Sequence, residues 1–328
     1  MAADRVTLRD VASAAGVSPA TVSYVLNDNR RQSIPQSTRD RVFAAAKELG
    51  YVPSRAARAL RSGRSDIVLL VMPDTQIGEV NARLIDRITD ALELHGYVGV
   101  YRRRREGRSV ATMAAALAPA AVVNLAAYGD DEMTLLESLG VPVVRTTIAG
   151  PGQRFGTPQE RFGRTQAEYL ALKGHRVLGY GRPLNPRLIA FVEPRLEGVR
   201  QWCAEHGLAE PVVAEHGLDV ESAAGAVGAW RGAGVTAVAA YNDEYALAIL
   251  AGMRSLGLTA PADLAVIGID NITVGQFAAP PLTSVDVEAD AIADGTVHAI
   301  LEALGVEKTA EPKAGAPSPA RVVERESA

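Results

Sequence analysis

Ser18, Ala20, Thr21, Ser23, Tyr24 and Asn27 offer hydroxyls, a phenol, an amide and a methyl within ten residues, with no carboxylate among them. Such groups exchange hydrogen bonds with the edges of bases without repelling a polyanion, and a methyl complements that of thymine. Their spacing lets them act together. Ala20, Ser23, Tyr24 and Asn27 stand at i, i+3, i+4 and i+7, so a helix gathers them on one face. Val22, Val25 and Leu26 fall on another face and turn inward. A helix that presents its N-terminal side chains outward is what the major groove of duplex DNA admits.

The stretch that must position them is LRDVASAAGVSPATVSYVLN, residues 8–27, read as two helices joined by a glycine turn. Thr7 caps the first, with Asp10 three residues on completing a capping box. Leu8, Val11, Ala12 and Ala15 follow helical spacing and Gly16 supplies the turn. Ser18 caps the second helix, and Pro19 takes the first position, where no N–H is needed. A third helix is expected over 35–49, closed by Gly50. After Pro53 and Ser54 comes a short run of alanine, arginine and Leu60, too short to hold as an isolated helix. It reads as a conditional helix that forms on DNA against a partner copy, with Leu60 wedging between base steps in the minor groove.

The formal charge of −4 over 328 residues hides an asymmetry. Residues 1–64 carry 11 Lys/Arg against 5 Asp/Glu, a net of +6, so the remainder carries −10. A basic head on an acidic body points to a polyanion partner for the head alone. The lone cysteine, Cys203, rules out an internal disulfide and fits a reducing compartment, the cytoplasm. No apolar leader opens the chain, and no run long enough to span a membrane occurs.

From residue 66 the pattern alternates strands with helices. Strands are expected at 67–72, 97–101, 120–124, 143–144, 177–180, 212–213, 237–241 and 264–269, with a possible last strand from Arg321. Long helices are expected at 79–95, 159–173, 195–206, 222–231 and 244–256. Two such series give two parallel-sheet lobes with a ligand cleft beyond the carboxyl ends of their strands. Enzyme readings lack support: there is no phosphate-binding glycine loop or nucleophile elbow, and the five histidines follow no metal spacing. No cofactor is expected. Asn242 and Asp243 can cap the helix that follows, with Asp243 the favoured cap. Arg195 is expected to open a helix at the lobe edge, where it could clamp a carboxylate, a phosphate or vicinal hydroxyls. Arg102 to Arg105 follow a strand end, as a solvated loop or a lure for an anion.

Several runs together resemble the LacI/GalR family of bacterial transcription repressors. They are Thr7-Leu8-x-Asp10-Val11-Ala12, Ala15-Gly16-Val17-Ser18, Ala20-Thr21-Val22-Ser23, Leu26-Asn27, Leu49-Gly50-Tyr51-x-Pro53 and Ala56-Ala57-Arg58-Ala59-Leu60. Weaker matches follow in order: Gly174-His175-Arg176, Asn242-Asp243-Glu244, Gly268-Ile269-Asp270 and Pro280-Pro281-Leu282-Thr283.

The resemblance implies an α/β protein: an all-α helix-turn-helix head on a bilobed, periplasmic-binding-protein-like body of two parallel-sheet subdomains. It implies a DNA-binding head over 1–52, a hinge helix over 53–64 and a body over 65–328. One lobe would comprise 65–158 plus 288–316 and the other 159–287 plus 317–328. A homodimer would read a palindromic operator through Thr7, Ser18, Pro19, Ala20, Thr21, Ser23, Tyr24, Asn27, Arg55, Ala59 and Leu60. A small effector, sugar-like or anionic, would meet Gln76, Phe191, Arg195, Asn242 and Asp270. Tyr24 stands where many relatives have arginine, so a bidentate guanine contact is not expected there. The alternative function is a solute-binding protein of a transport system, which shares such a body but needs export.

Overall fold

A computed structural model describes residues 6–26, 33–51, 64–72, 74, 77–103, 105, 107, 109–125, 130–145, 158–306 and 320–328. The chain divides into two compact units, residues 1–65 and 66–328.

The first unit holds α1 (Leu8–Ala15), α2 (Pro19–Leu26) and α3 (Gln36–Glu48). The Thr7 amide and hydroxyl both donate to Asp10 Oδ2 at 2.7 Å, fixing the start of α1. Gly16 ends it in the left-handed region, φ 63°, which favours a residue without Cβ. Ser18 Oγ accepts the Thr21 amide at 3.1 Å and so caps α2. Val11, Ala12, Ala15, Val22, Val25, Val42, Ala45 and Ala46 form the core. Eight small side chains make a modest core, as expected for a unit of this size.

The second unit contains two sheets. The first has β1 (Ile67–Met72), β2 (Val98–Arg103), β3 (Ala121–Asn124) and β4 (Val143–Arg145), ordered β2-β1-β3-β4 and wholly parallel. Alternation along β1 divides its side chains between two faces. Val68, Leu70 and Met72 pack with α4 (Glu79–Leu94) and α11 (Ala289–Ala303). Leu69 and Val71 pack with α5 (Val110–Leu117) and α6 (Asp130–Ser138). A strand buried on both faces reads as a continuous apolar run, which is why β1 is plain in the sequence.

The second sheet joins β5 (Leu178–Pro183), β6 (Val212–His216), β7 (Ala237–Ala240), β8 (Ala265–Ile269), β9 (Thr283–Asp286) and β10 (Arg321–Val323). Its order is β10-β9-β8-β7-β5-β6, with β10 alone antiparallel. Helices α7 (Pro158–Leu172) and α8 (Ile189–Glu205) cover one face, and α9 (Val220–Gly232) and α10 (Asp243–Ser255) the other. After β9 the chain returns to the first sheet as α11, so each lobe draws on separated segments. In both sheets the first strand is flanked by the next two, β1 by β2 and β3, β5 by β6 and β7. That reversal opens a crevice at the carboxyl ends.

Three expectations need correction. The strand expected at 97–101 runs on through Arg103, so Arg102 and Arg103 belong to β2 rather than to a loop. Arg102 Nη1 donates to the Met113 sulfur at 3.0 Å, which gives its guanidinium a partner beside the sheet. The helix expected at 195–206 begins at Ile189, with Pro194 inside it, so Arg195 does not open it. Pro194 lies in the second turn, where its missing N–H and the crowding of its ring against the preceding turn both cost stability. Asn242 rather than Asp243 is the cap of α10, because its Oδ1 accepts the Tyr245 amide at 3.2 Å.

Helices α7 and α8 touch through glycine. A Cβ on Gly163 would overlap the Arg195 carbonyl, and one on Gly198 would overlap that of Glu160. Both neighbours are backbone and cannot swing away. Gly163→Ala is therefore expected to lose about 2 kcal/mol or more, read as a lower denaturant midpoint at unchanged slope. Gly225→Ala in α9, with nothing within 4 Å, should instead gain up to about 1 kcal/mol.

Candidate functional site

In the first unit the outward face of α2 matches the arrangement read from spacing. Pro19, Ala20 and Tyr24 are exposed, while Val22 and Val25 are buried. Thr21 and Ser23 are half-buried. Several polar groups already have duties. The hydroxyls of Ser18 and Thr21 meet at 2.9 Å, and Thr7 is held by Asp10. The first turn of α2 carries no acid, so its N-terminal partial positive charge is unopposed there and suits a phosphate. Asn27, Arg55, Ala59, Leu60 and Gln76 lie outside the described residues, as does the expected hinge from 53 to 63.

In the second unit a cavity of about 450 Å³ lies between the lobes. The first lobe contributes Asp74, Gly78, Glu79, Val80, Asn81, Leu84, Arg103, Ala289 and Ile292. The second contributes Gln159, Phe162, Asn185, Arg187, Phe191, Arg195, Tyr241, Asn242, Glu244, Tyr245 and Asp270, among others. Most of these residues sit just beyond strand ends or on the first turns of the helices that follow, as the topology requires. The structure thus brings together Phe191, Arg195, Asn242 and Asp270, which the sequence had singled out.

Arg195 is 6% exposed. Its Nε donates to Gln159 Oε1 at 2.8 Å and its Nη1 to the Tyr241 carbonyl at 2.7 Å. Its guanidinium lies over the Tyr241 ring at 4.7 Å and over Phe162 at 5.9 Å. Nη2 stands 3.8 Å from Asp270 Oδ1, close enough to balance charge and too far for a direct hydrogen bond. A hydroxyl can bridge such a gap, accepting from the cation and donating to the carboxylate.

Asp270 is held in a strained backbone. Its φ is 108° and that of Asn271 is 49°, two consecutive residues with side chains in the left-handed region. The surroundings enforce it. The Asp270 amide donates to the Val285 carbonyl at 2.9 Å, and that of Asn271 to Ser284 Oγ at 3.0 Å. Arg325 Nη2 donates to Asn271 Oδ1 at 2.7 Å. Burial pushes the Asp270 carboxyl up to about 6; Arg195 lowers it and the Glu244 charge raises it further. Tyr241, buried beside it, rises to about 12.

Among the described residues, two polar side-chain contacts cross between lobes. Glu79, in the first turn of α4, accepts the Thr273 amide at 2.9 Å and its hydroxyl at 2.6 Å. Arg187 Nε stands 3.6 Å from Asp74 Oδ2. Neither was foreseen, because nothing in linear sequence pairs positions as distant as Asp74 from Arg187 or Glu79 from Thr273. Gln159, Phe162, Tyr241, Glu244 and Tyr245 were missed too. Tyr241 could have been found, since it directly follows a strand at the predicted cleft edge.

The profile of bacterial regulatory proteins of the lacI family matches residues 7–54, and that of the periplasmic binding protein-like domain matches residues 167–328. The HTH-type transcriptional regulator CelR of Thermobifida fusca is 33% identical over 305 residues, covering 86% of this chain and 87% of that protein. The chain belongs to the lacI family. Its fold is shared with the lac repressor dimer bound to operator and an anti-inducer, at a TM-score of 0.79 and 22% identity over 99% of each chain. A CelR–cellobiose complex superposes at 0.66 with 27% identity, covering 99% of this chain and 100% of that one. As a lacI-family member the protein is a helix-turn-helix transcriptional regulator with a ligand-binding body. The lacI-family relatives named here are regulators rather than enzymes. Among the described residues no helix is long and apolar enough to cross a membrane.

Asp243 lies beneath the cleft and titrates in its own way. It accepts from Ser284 Oγ at 2.6 Å and from the Ile272 amide at 2.8 Å, and Gly268 makes room for it. Burial nonetheless pushes its carboxyl up to about 8, against both hydrogen bonds. The folded state thus keeps a proton that the unfolded chain releases near 3.8. This group's stabilising share is complete below that value and drains away as pH rises toward about 8. Asp243→Asn should flatten the stability-versus-pH curve over that window, measured by urea unfolding of parent and variant at several pH values.

Proposed function

We propose that this lacI-family regulator is a repressor that binds a palindromic operator as a homodimer in the cytoplasm. A small molecule in the inter-lobe cleft changes its operator affinity. The observation that carries this reading is the gapped Arg195–Asp270 pair inside a cavity whose two walls belong to different lobes. A ligand filling that gap while touching both walls binds one lobe arrangement better than another, which is what shifts a conformational equilibrium. The Glu79–Thr273 and Asp74–Arg187 contacts are the bonds such a shift would remake.

In this reading the head spans 1–52, the hinge 53–64 and the body 65–328. Pro19, Ala20, Ser23, Tyr24 and Asn27 face base edges; Thr7, Ser18, Thr21 and Arg55 serve the backbone and the caps. Ala59 and Leu60 would meet the minor groove. The uncharged outward face of α2 and the net +6 of the first 64 residues support this assignment. The effector is sugar-like, which the cellobiose bound by CelR supports. Contact with Phe191, Arg195, Asn242 and Asp270 is supported by their place on the cavity wall. Gln76 is assigned there on the sequence resemblance alone.

Operator binding is tested by selecting a preferred duplex and comparing it with scrambled DNA at physiological salt. A specificity ratio of about 10³ or more is expected, with affinity falling steeply as salt rises. Equal affinity for any duplex would defeat the reading. Tyr24→Ala should reduce that ratio by about 1–3 kcal/mol while leaving the salt slope nearly unchanged. For the cleft, a thermal-shift screen of sugars, nucleosides and small acids should find a ligand that stabilises the parent. At a hundredfold excess over Kd the gain is about 2.7 kcal/mol, and Arg195→Ala should lose most of it.

A further inference from the structure

We infer that the effector carries a protonated amine beside its hydroxyl groups, so that the cleft selects an amino sugar over a neutral or carboxylated one. This rests on the cleft being the effector site and goes beyond it by naming the charge of the ligand.

The argument begins with the side chains around Asn242. Asn242 Oδ1 is spent on capping α10. Its Nδ2 lies 2.9 Å from Glu244 Oε2 and 3.4 Å from Asp270 Oδ2, so one amide serves two carboxylates. Among the described residues no lysine or arginine pairs with Glu244, whereas Asp74 has Arg187 and Glu79 has Thr273. This end of the cleft therefore presents acceptors in surplus.

Arg195 supplies an independent indication. Its charge is already absorbed by Asp270, by the oxygens of Gln159 and Tyr241, and by two ring faces. Its Nη2, 3.8 Å from Asp270 Oδ1, has no hydrogen bond to either of the neighbours that hold Nε and Nη1. A carboxylate or phosphate placed there would gain one donor and face two acids, an unfavourable exchange. The anionic metabolite considered from the sequence is thus disfavoured at this end of the cleft, whatever Arg103 and Arg187 offer elsewhere on its wall. An ammonium has three donors and no acceptor, which complements Glu244 and Asp270 together. Hydroxyls of the same ligand fill the gap between Arg195 and Asp270, and the half-buried Phe191 lines the same cavity for the ring.

Glu244 is exposed in its helix turn, so its contribution is moderated by solvent. The expected preference is about tenfold, the low end for a charge-assisted hydrogen bond.

The test compares three disaccharides of one skeleton by calorimetry on the full-length protein: the β-1,4-linked glucosamine dimer, cellobiose and cellobiuronic acid. All three are measured in one buffer at a pH just above the value of about 6 to which burial raises Asp270. The amine should bind about tenfold tighter than cellobiose, and the acid weakest. The readout is the ratio of affinities, which cancels any general damage to the site. Glu244→Gln should bring the amine-to-cellobiose ratio close to one, and its circular dichroism and melting curve report folding. Equal binding of amine and neutral sugar, tightest binding of the acid, an unchanged ratio in Glu244→Gln, or no binding of any of the three would overturn the inference. The specific-operator assay and the broad ligand screen decide the regulator reading separately, so the two can fail independently.

Discussion

A buried guanidinium is the constraint around which the body is built. An arginine keeps its charge even out of water, so that charge must be met by acceptors and an opposite charge or its burial costs several kcal/mol. Arg195 meets that demand with Gln159 from α7, the Tyr241 carbonyl after β7 and Asp270 after β8. Three elements are thereby tied to one side chain. The close passage of α7 over α8, possible because Gly163 and Gly198 lack Cβ atoms, brings Gln159 within reach. Asp270 in turn is held in a conformation it would not choose, by bonds from β9 and from Arg325 through Asn271. The cleft floor is therefore preorganised, and the strain stored in it is held by the sheet beneath.

Beneath that floor Asp243 connects the helix cap, the β8 turn and Ser284 in one hydrogen-bonded group. Its place at the start of α10 favours a negative charge through the helix dipole, yet burial outweighs that term and the carboxyl stays protonated well above the usual range. Asp270 and Asp243 are both raised, for the same reason. The surface acids Glu79, Glu205 and Asp294 are lowered instead, chiefly by hydrogen bonds from Thr273, Arg164 and Arg87. The body thus holds two classes of carboxyl, whose contributions to stability change in opposite directions with pH.

The head follows a different economy of forces. Among the described residues its buried core is eight small apolar side chains with partly buried ones such as Leu8, Ile34 and Tyr51 packed against them, and its helix termini add local definition to that packing. Thr7, Asp10, Gly16 and Ser18 supply those termini, and they also fix where α2 begins and which residues it turns outward. In a regulator of the lacI family, the same few capping bonds that hold the head together thereby aim its contact face.

Sequence alone settled whatever is set by local periodicity and local hydrogen bonding. The two-helix stretch with its caps, the apolar run of β1, the strand–helix alternation and the outward face of α2 all follow from residues within about ten positions of one another. Where a local signal was ambiguous, sequence reasoning failed. Arg195 read as the opening residue of a helix that begins at Ile189, and Asp243 read as the cap although Asn242 does that work. Tertiary structure decided the rest: the Glu79–Thr273 contact, the two carboxylates on one Asn242 amide and the glycine crossing of α7 and α8. These depend on chain segments far apart in sequence, and the charge of a cleft is a sum over neighbours that only folding assembles.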